Sequence, residues 1–386
     1  MEASSAVSGF SALRVLVTHD WLVTWGGAER CLEEIIRMFP QADLLVGIRA
    51  NSMRELNAVA HASVETWLGR LPGARQHHRW FAPLEAVAFG AVDCRRYDLV
   101  ISSSHAFAKA IGRKRTGPHV CYCYSPPRYA WDLYDSYVRY SPLNTSLALR
   151  LGRGLLRKLD LWSATRVDRF LGISQVVAER IKRIYGCSCD IVYPPIVRKP
   201  GAPPSSKRSD FLLSLGRLVP YKRVDLVVGA AERLGIRLIV AGDGPERERL
   251  EGAGGRWTEF LGATSEAESA RLLSECSAFV FCGEEDFGMA PLEANAHGAP
   301  VVYYNRGGVA ETMRPWLTGV PFEEQTIACV AGAIRAVQDR SWSHEVLLAN
   351  AQLYSPQRFR TDFARAVGDA LDLKASRRMP VYGMDL

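Results

Sequence analysis

The sequence has no run of 18 apolar residues, so no transmembrane helix of ordinary length is expected. Its first dozen residues are small and polar, with neither a charged start nor an apolar centre. A secretory leader is therefore not expected, and a cytosolic location is. No Gly-x-Gly-x-x-Gly motif occurs, which removes the dinucleotide fingerprint. No Asp-x-Asp occurs either. The two Cys-x-Cys pairs, Cys121/Cys123 and Cys187/Cys189, lack a second pair at metal-ligand spacing, so a metal is not expected. The nine cysteines are an odd number. Several, such as Cys31, Cys276, Cys282 and Cys329, sit in apolar runs and read as reduced core residues.

What is present points to a soluble enzyme of two domains. The chain has 386 residues, 48% of them apolar and 23% charged. Residues 1–196 carry 25 Lys and Arg against 17 Asp and Glu; the remainder carries 23 against 24. The positive excess lies wholly in the first half. It suits an anionic partner, either a phosphate-bearing substrate or a membrane surface. Nucleic acid is not among the expected partners.

The chain alternates strand and helix patterns. Leu13 to Thr18 reads as an opening strand, followed by a loop over 19–27 that contains His19 and ends in Gly26-Gly27. A helix from Ala28 to Phe39 follows. Strand, glycine loop and helix start together form a turn suited to an anion or sugar, although glycines also serve plain turns. Strands over 42–47, 97–102 and 119–124 come next. The last two end in Ser102-Ser-Ser-His105 and in Tyr124-Ser-Pro-Pro-Arg128. Residues 144–166 read as a basic amphipathic helix, with Leu147, Leu151, Leu155 and Leu159 interleaved with Arg150, Arg153, Arg157 and Lys158. Two readings stand. The helix docks on an anionic bilayer, or it packs its leucines inward and shows a solvated basic face.

We divide the chain into a first domain over 1–196, a proline-rich linker over 197–209, a second domain over 210–355 and a final helical segment over 356–386. The second domain restarts the alternation at Phe211-Leu-Leu-Ser-Leu215. Two α/β halves imply two facing Rossmann-like domains with a cleft between them. The second half is organised around residues 281–298. A buried strand, Ala278–Phe281, runs into a turn with Glu284, Glu285, Asp286 and Gly288, then a helix to Ala296 that carries Glu293. Acids in a first turn also complement the helix dipole without further purpose. Arg217 and Lys222 lie between an earlier strand and the helix after it. Two cations at a helix start neutralise a diphosphate, unless they are simply surface residues.

The second half resembles the donor domain of family 4 glycosyltransferases of the GT-B fold. The likeness rests on Gly-Arg-x-x-x-x-Lys at 216–222, Ala-Gly-Asp-Gly-Pro at 241–245, Glu-Asp-Phe-Gly-x-x-x-x-Glu at 285–293, Gly307-Gly308 and Glu311-Thr312. In the first half, Tyr97-Asp-Leu-Val-Ile-Ser-Ser-Ser-His105 and Arg128-Tyr-Ala-Trp-Asp132 are similar to bacterial polysaccharide and O-antigen mannosyltransferases. The resemblance implies retaining, metal-independent hexose transfer from a nucleoside diphosphate sugar, GDP-mannose. The acceptor would be lipid-linked or a polysaccharide, at the inner face of the cytoplasmic membrane. Glu285 would meet the sugar hydroxyls and Glu293 the ribose. Arg217 and Lys222 would hold the diphosphate, opposite Gly26 and Gly27, while the amides of Phe287, Gly288 and Met289 approach the sugar and phosphate. Glu284 and Asp286 would be bystanders. The last helix would cross back to the first domain.

The chain departs from the family at Tyr124, where relatives commonly carry a histidine near the donor sugar. His105 is the leading substitute, His19 a third candidate, and Arg128 a residue of the acceptor side. Other readings keep the fold with UDP-glucose or GDP-rhamnose as donor, or make the chain a catalytically idle scaffold that binds nucleotide sugar. An epimerase of similar architecture fits the Glu-x7-Glu spacing less well.

Overall fold

The computed structural model describes residues 10–50, 63–112, 114–140, 143–197 and 208–378, with side chains to residue 373. Most of the expected linker, and the end of the last segment, lie outside these residues. The chain divides into two compact units, Met1–Pro195 with Gln357–Leu386, and Ile196–Pro356.

The first unit is built on β1 (Val15–Leu22), α1 (Gly27–Met38), β2 (Asp43–Arg49), β3 (Ser63–Glu65), α2 (Ala82–Gly90), β4 (Leu99–Ser104) and β5 (His119–Cys123). It continues with α3 (Tyr134–Tyr140), α4 (Leu143–Ala164), β6 (Arg169–Gly172), α5 (Gln175–Tyr185) and β7 (Cys189–Ile191). The seven strands lie in the order β3-β2-β1-β4-β5-β6-β7, and every pairing is parallel. β4 is buried at all six positions, as a strand covered on both faces requires. β1 runs four residues beyond the expected strand. His19 pairs with Val46 and with Ser103, and Trp21 with Ile48, so polar residues read as loop are held in the ladder. β3 and α3 were not foreseen.

The second unit comprises β8 (Phe211–Leu215), α6 (Val224–Leu234), β9 (Arg237–Ala241), α7 (Arg247–Ala253), β10 (Thr258–Gly262), α8 (Glu266–Glu275) and β11 (Ala278–Phe281). It then adds α9 (Met289–Ala296), β12 (Val301–Tyr304), α10 (Gly308–Thr312), β13 (Gly319–Phe322), α11 (Ile327–Gln338) and α12 (His344–Gln352). Its parallel order is β10-β9-β8-β11-β12-β13, the doubly wound arrangement. Both units are thus Rossmann-like α/β structures. Each strand order reverses beside the unit's first strand, between β1 and β4 and between β8 and β11. Ligands bind beyond the carboxyl ends of strands at such reversals.

The last helix, α13 (Pro356–Arg378), belongs to the first unit from Gln357 onward. Phe359 and Phe363 are buried and meet the Tyr122 ring edge-on, with centroids 5.6 and 5.8 Å away. Arg360 pairs with Glu34 of α1 at 2.6 Å, and Arg169 with Asp369 at 3.1 Å.

A buried ion pair ties the loops of the first unit to its helices. Lys109 Nζ lies 2.8 Å from Asp160 Oδ1, with both side chains out of water. Tyr185 Oη also donates to Asp160 Oδ1, and Trp131 Nε1 to Oδ2, each at 2.8 Å. Lys109 donates in addition to the Ala106 carbonyl. Burial alone would lower the ammonium's pKa; the Asp160 charge and hydrogen bond outweigh it and raise it. The pair joins the segment after β4 to α4 and α5. Asp160→Asn leaves a buried ammonium without a counter-charge, and should destabilise the chain by about 3–5 kcal/mol in denaturant melts. A loss under about 1 kcal/mol, typical of an exposed pair, would show that this one is solvated.

Candidate functional site

In the first unit, the carboxyl ends of β1 and β4 bring together His19, Asp20, Ser103, Ser104 and His105. Asp20, which sequence reasoning missed, is the centre. Its Oδ1 accepts from the Ala108 amide at 2.6 Å and from Ser104 Oγ at 3.2 Å. Its Oδ2 accepts from the amides of His105 at 2.6 Å and Ala106 at 3.0 Å, and lies 3.2 Å from His105 Nδ1. Burial would raise this carboxyl; the charges of His105 and His19 and the amide bonds outweigh that and hold it below its ordinary value. His105 is lowered, chiefly by desolvation, with Asp20 opposing. Even so, 30% of the His105 side chain is exposed. Nδ1 therefore faces Asp20, leaving Nε2 as the nitrogen for a ligand. The edge of Trp21 packs against the ring, with centroids 4.7 Å apart.

Of the other candidates near this cluster, Tyr124 and the Gly26 amide are engaged, while His19 Nε2 has no hydrogen-bond partner among the described residues. His19 is fully buried, its Nδ1 2.9 Å from Ser103 Oγ and its Nε2 3.8 Å from Glu29 Oε1. Tyr124 donates its hydroxyl to the Ala28 carbonyl at 2.8 Å and shares a hydrogen bond of 2.8 Å with Ser103 Oγ. It braces the glycine turn at the start of α1, and burial pushes its phenol well above the ordinary range. The Gly26 amide donates to Glu29 Oε2 at 2.9 Å, while Gly27 opens the helix. The run 128–132 acts mainly as a staple. Trp131 donates to Asp160, and Asp132 pairs with Arg180 and Arg183. Arg128 is half-buried in the same loop.

In the second unit the reversal between β8 and β11 places the two predicted charges together. Lys222 Nζ lies 3.0 Å from Glu285 Oε1, and both side chains are about one-fifth exposed. Arg217 is exposed at the end of β8. The backbone is closely packed here. A Cβ on Gly242 (φ 137°) would stand 2.0 Å from the Gly216 carbonyl oxygen, and one on Gly307 (φ 71°) 2.5 Å from that of Glu285. Only glycine fits either place. Gly288 caps α9 with φ 81°, and Met289 begins it. Glu293, in the second turn, is buried. The Phe287 side chain is buried and packs on Tyr354, so only its backbone is available. Glu284 is exposed and Asp286 half-buried.

The helix expected over 144–166 is present as α4, with a different orientation from the solvated-basic-face reading. Leu143 is 86% and Leu151 79% exposed, and Leu147 and Leu155 are exposed too, whereas Leu159 is half-buried against the core. The arginines turn inward instead. The Arg153 guanidinium lies 3.8 Å from the Tyr134 ring centre and that of Arg157 4.4 Å from Trp131. Both are cation–π contacts, and the Trp131 ring is itself packed against the first unit's core. Arg150 and Lys158 stay exposed. Cys329, expected in the core, is half-buried. No helix among the described residues is long and apolar enough to cross a membrane.

Behind Asp20 lies Glu85 of α2, buried, with no hydrogen-bond partner for either oxygen among the described residues. Burial, then the Asp20 charge, pushes its carboxyl well above the usual range, against Lys109. Folding therefore takes up a proton here. The cost is absent below the unfolded carboxyl's pKa of about 4.3 and grows as pH rises above it. Glu85→Gln should match the parent in thermal melts near pH 4 and gain on it progressively towards pH 7. A gap that does not change with pH would mean that Glu85 is ionised in the fold.

Two family models match the chain, "Glycosyltransferase Family 4" over residues 25–199 and "Glycosyl transferases group 1" over 198–352. A GDP-mannose-dependent alpha-mannosyltransferase of Mycobacterium tuberculosis is 34% identical over 33% of this chain and 38% of its own length. A glycogen synthase of the same organism is 33% identical over 47% of this chain and 48% of its own. The chain thus spans less than half the length of these relatives. Among solved structures, Anabaena HepE with UDP and glucose aligns over 92% of this chain and 100% of its own, with a TM-score of 0.67 and 15% identity. The lipopolysaccharide outer core galactosyltransferase WaaB aligns over 93% and 100%, with a TM-score of 0.64 and 17% identity. At that identity the likeness shows the fold, which is GT-B.

Proposed function

We propose the following reading for a chain that belongs to the glycosyltransferases, with a family 4 first domain and a group 1 second domain. It transfers mannose from GDP-mannose to a lipid-linked or polysaccharide acceptor, with retention and without metal. The observation that carries this is the Lys222–Glu285 pair at the strand reversal of the second unit. A cation and a carboxylate 3.0 Å apart answer the two ends of a sugar diphosphate, anionic phosphate and hydroxylated ring. Arg217 adds charge for the diphosphate. Glu293 takes the ribose hydroxyls, and the amides of Phe287, Gly288 and Met289 meet sugar and phosphate. The acceptor hydroxyl attacks the anomeric carbon on the face that the phosphate leaves. The carbon–phosphate oxygen bond breaks, and the departing phosphate takes the hydroxyl proton. In this reading His105, oriented by Asp20, takes the role that Tyr124 does not. Gly26 and Gly27 in this reading supply the first unit's anion-binding turn. Mannosyltransferase names among the relatives support the donor; a glycogen synthase relative and the UDP-glucose-binding neighbour keep UDP-glucose as the second reading.

Assayed with chelator present across a panel of nucleotide sugars, GDP-mannose should give the fastest turnover. Glu285→Ala should remove transfer while GDP binding persists within a fewfold. GDP affinity falling in step with rate would make Glu285 a binding residue. Nucleotide binding with no turnover of any donor would leave the scaffold reading.

The leucines of α4, outward at 143, 147, 151 and 155 with Arg150 and Lys158 beside them, support docking on an anionic bilayer at the inner membrane face. Charge complementarity with acidic headgroups selects this occupant. The chain should float with vesicles containing phosphatidylglycerol at low salt, and Leu147→Ser/Leu151→Ser should float several-fold less. Equal flotation with neutral vesicles would count against it.

A further inference from the structure

The second unit has a second concavity, at the edge of its sheet away from Lys222 and Glu285. A cavity of about 880 Å³ opens at the amino ends of β8, β9, β11 and β12. Strands of four or five residues separate the two edges by roughly 15 Å. Its lining combines charge with flat apolar surface: Arg208, Arg237, Arg340, His344, Trp257 and Trp342. Asp210 is the one carboxylate among the lining residues.

These groups are set in place before any ligand arrives. The Trp342 indole donates to the Val337 carbonyl at 2.9 Å, which fixes the ring. The Arg340 guanidinium lies 5.5 Å from the Trp316 ring centre and 5.8 Å from that of Trp342, and pairs with no acid among the described residues. Arg208 donates to the carbonyls of Cys276 and His297 at 2.7 Å each, closing the ends of α8 and α9. It spends its hydrogen bonds on neutral carbonyls and keeps its charge. Arg237 is paired with Glu259 at 2.8 Å, at the rim. Aromatic faces stack on the C–H faces of pyranose rings, and fixed guanidinium groups bind phosphate or carboxylate. The volume lies in the range of small-ligand sites.

We propose that this cavity is a separate binding site for an anionic saccharide, one bearing a phosphate or a carboxylate. It stands on the lining residues alone and is independent of which donor the chain uses. The occupant would touch Gly298 and His344, next to the end of the helix whose second turn carries Glu293.

Tryptophan fluorescence and calorimetry on the whole chain, with and without GDP, test it. The probes are mannose 6-phosphate, a glucuronic acid trisaccharide, mannotriose and GMP. One of the two anionic sugars should bind 1:1 whether or not GDP is present, and which one tells phosphate from carboxylate. Mannotriose should bind at least tenfold more weakly. Arg340→Glu, an exposed substitution, should weaken the anionic sugar at least tenfold with GDP affinity unchanged. No binding by either anionic sugar, binding displaced by GDP, indifference to Arg340→Glu, or tighter Arg340-dependent binding of GMP would each overturn the proposal.

Discussion

A carboxylate taken wholly out of water must have its lone pairs answered, and Asp20 imposes that demand on the first unit. Three amides, one hydroxyl and one imidazole converge on it. The segment from Ser104 to Ala108 can satisfy them only by curling around the end of β1. That curl sets His105 at the strand reversal and carries Lys109 inward to Asp160. Asp160 in turn collects Trp131 from the loop after β5 and Tyr185 from α5. One buried charge thus bends the segment that carries Lys109, and with it the contacts that reach α4, α5 and the loop after β5. The strength of such a network lies in being fully satisfied; behind it Glu85, its carboxyl pushed up by burial, has no hydrogen-bond partner for either oxygen among the described residues.

The second unit solves the same topological problem with other means. There Lys222 and Glu285 at the reversal keep about one-fifth of their side chains in water, and the loops are positioned by backbone packing. Glycines at 242 and 307 let carbonyls approach where any side chain would collide. The first unit therefore presents a pre-paired imidazole, the second a loose cation and carboxylate able to exchange partners. Charged groups left partly solvated cost the fold less desolvation than groups taken wholly out of water.

The alternation of strands and helices was legible because each buried parallel strand is a short apolar run, and β8 and β11 fall on the predicted residues. The pairing of Lys222 with Glu285 was legible because both follow strands adjacent in the doubly wound order. Asp20 was not. A polar His-Asp at a strand end reads as loop, and only its ladder with β2 and β4 makes it strand. Nor was the direction of α4. Leucines every fourth residue mark a face without saying which side is wet, and the aromatic rings that Arg153 and Arg157 meet come from a distant stretch. Tyr124 could be seen as a departure, yet its bracing of Ala28 needed the fold.

The last helix gives the molecule a schedule. Phe359, Phe363 and Arg360 complete a unit whose sheet is finished by Ile191, with the whole second unit lying between them in the chain. As the chain leaves the ribosome, the unit that is made first is closed last. Until residues 357–378 emerge, Tyr122 lacks its aromatic cover and Glu34 its arginine from α13. The second unit, continuous in sequence, has no such wait and can fold as soon as it is free. The unit whose synthesis begins first is therefore the one whose contacts are completed last.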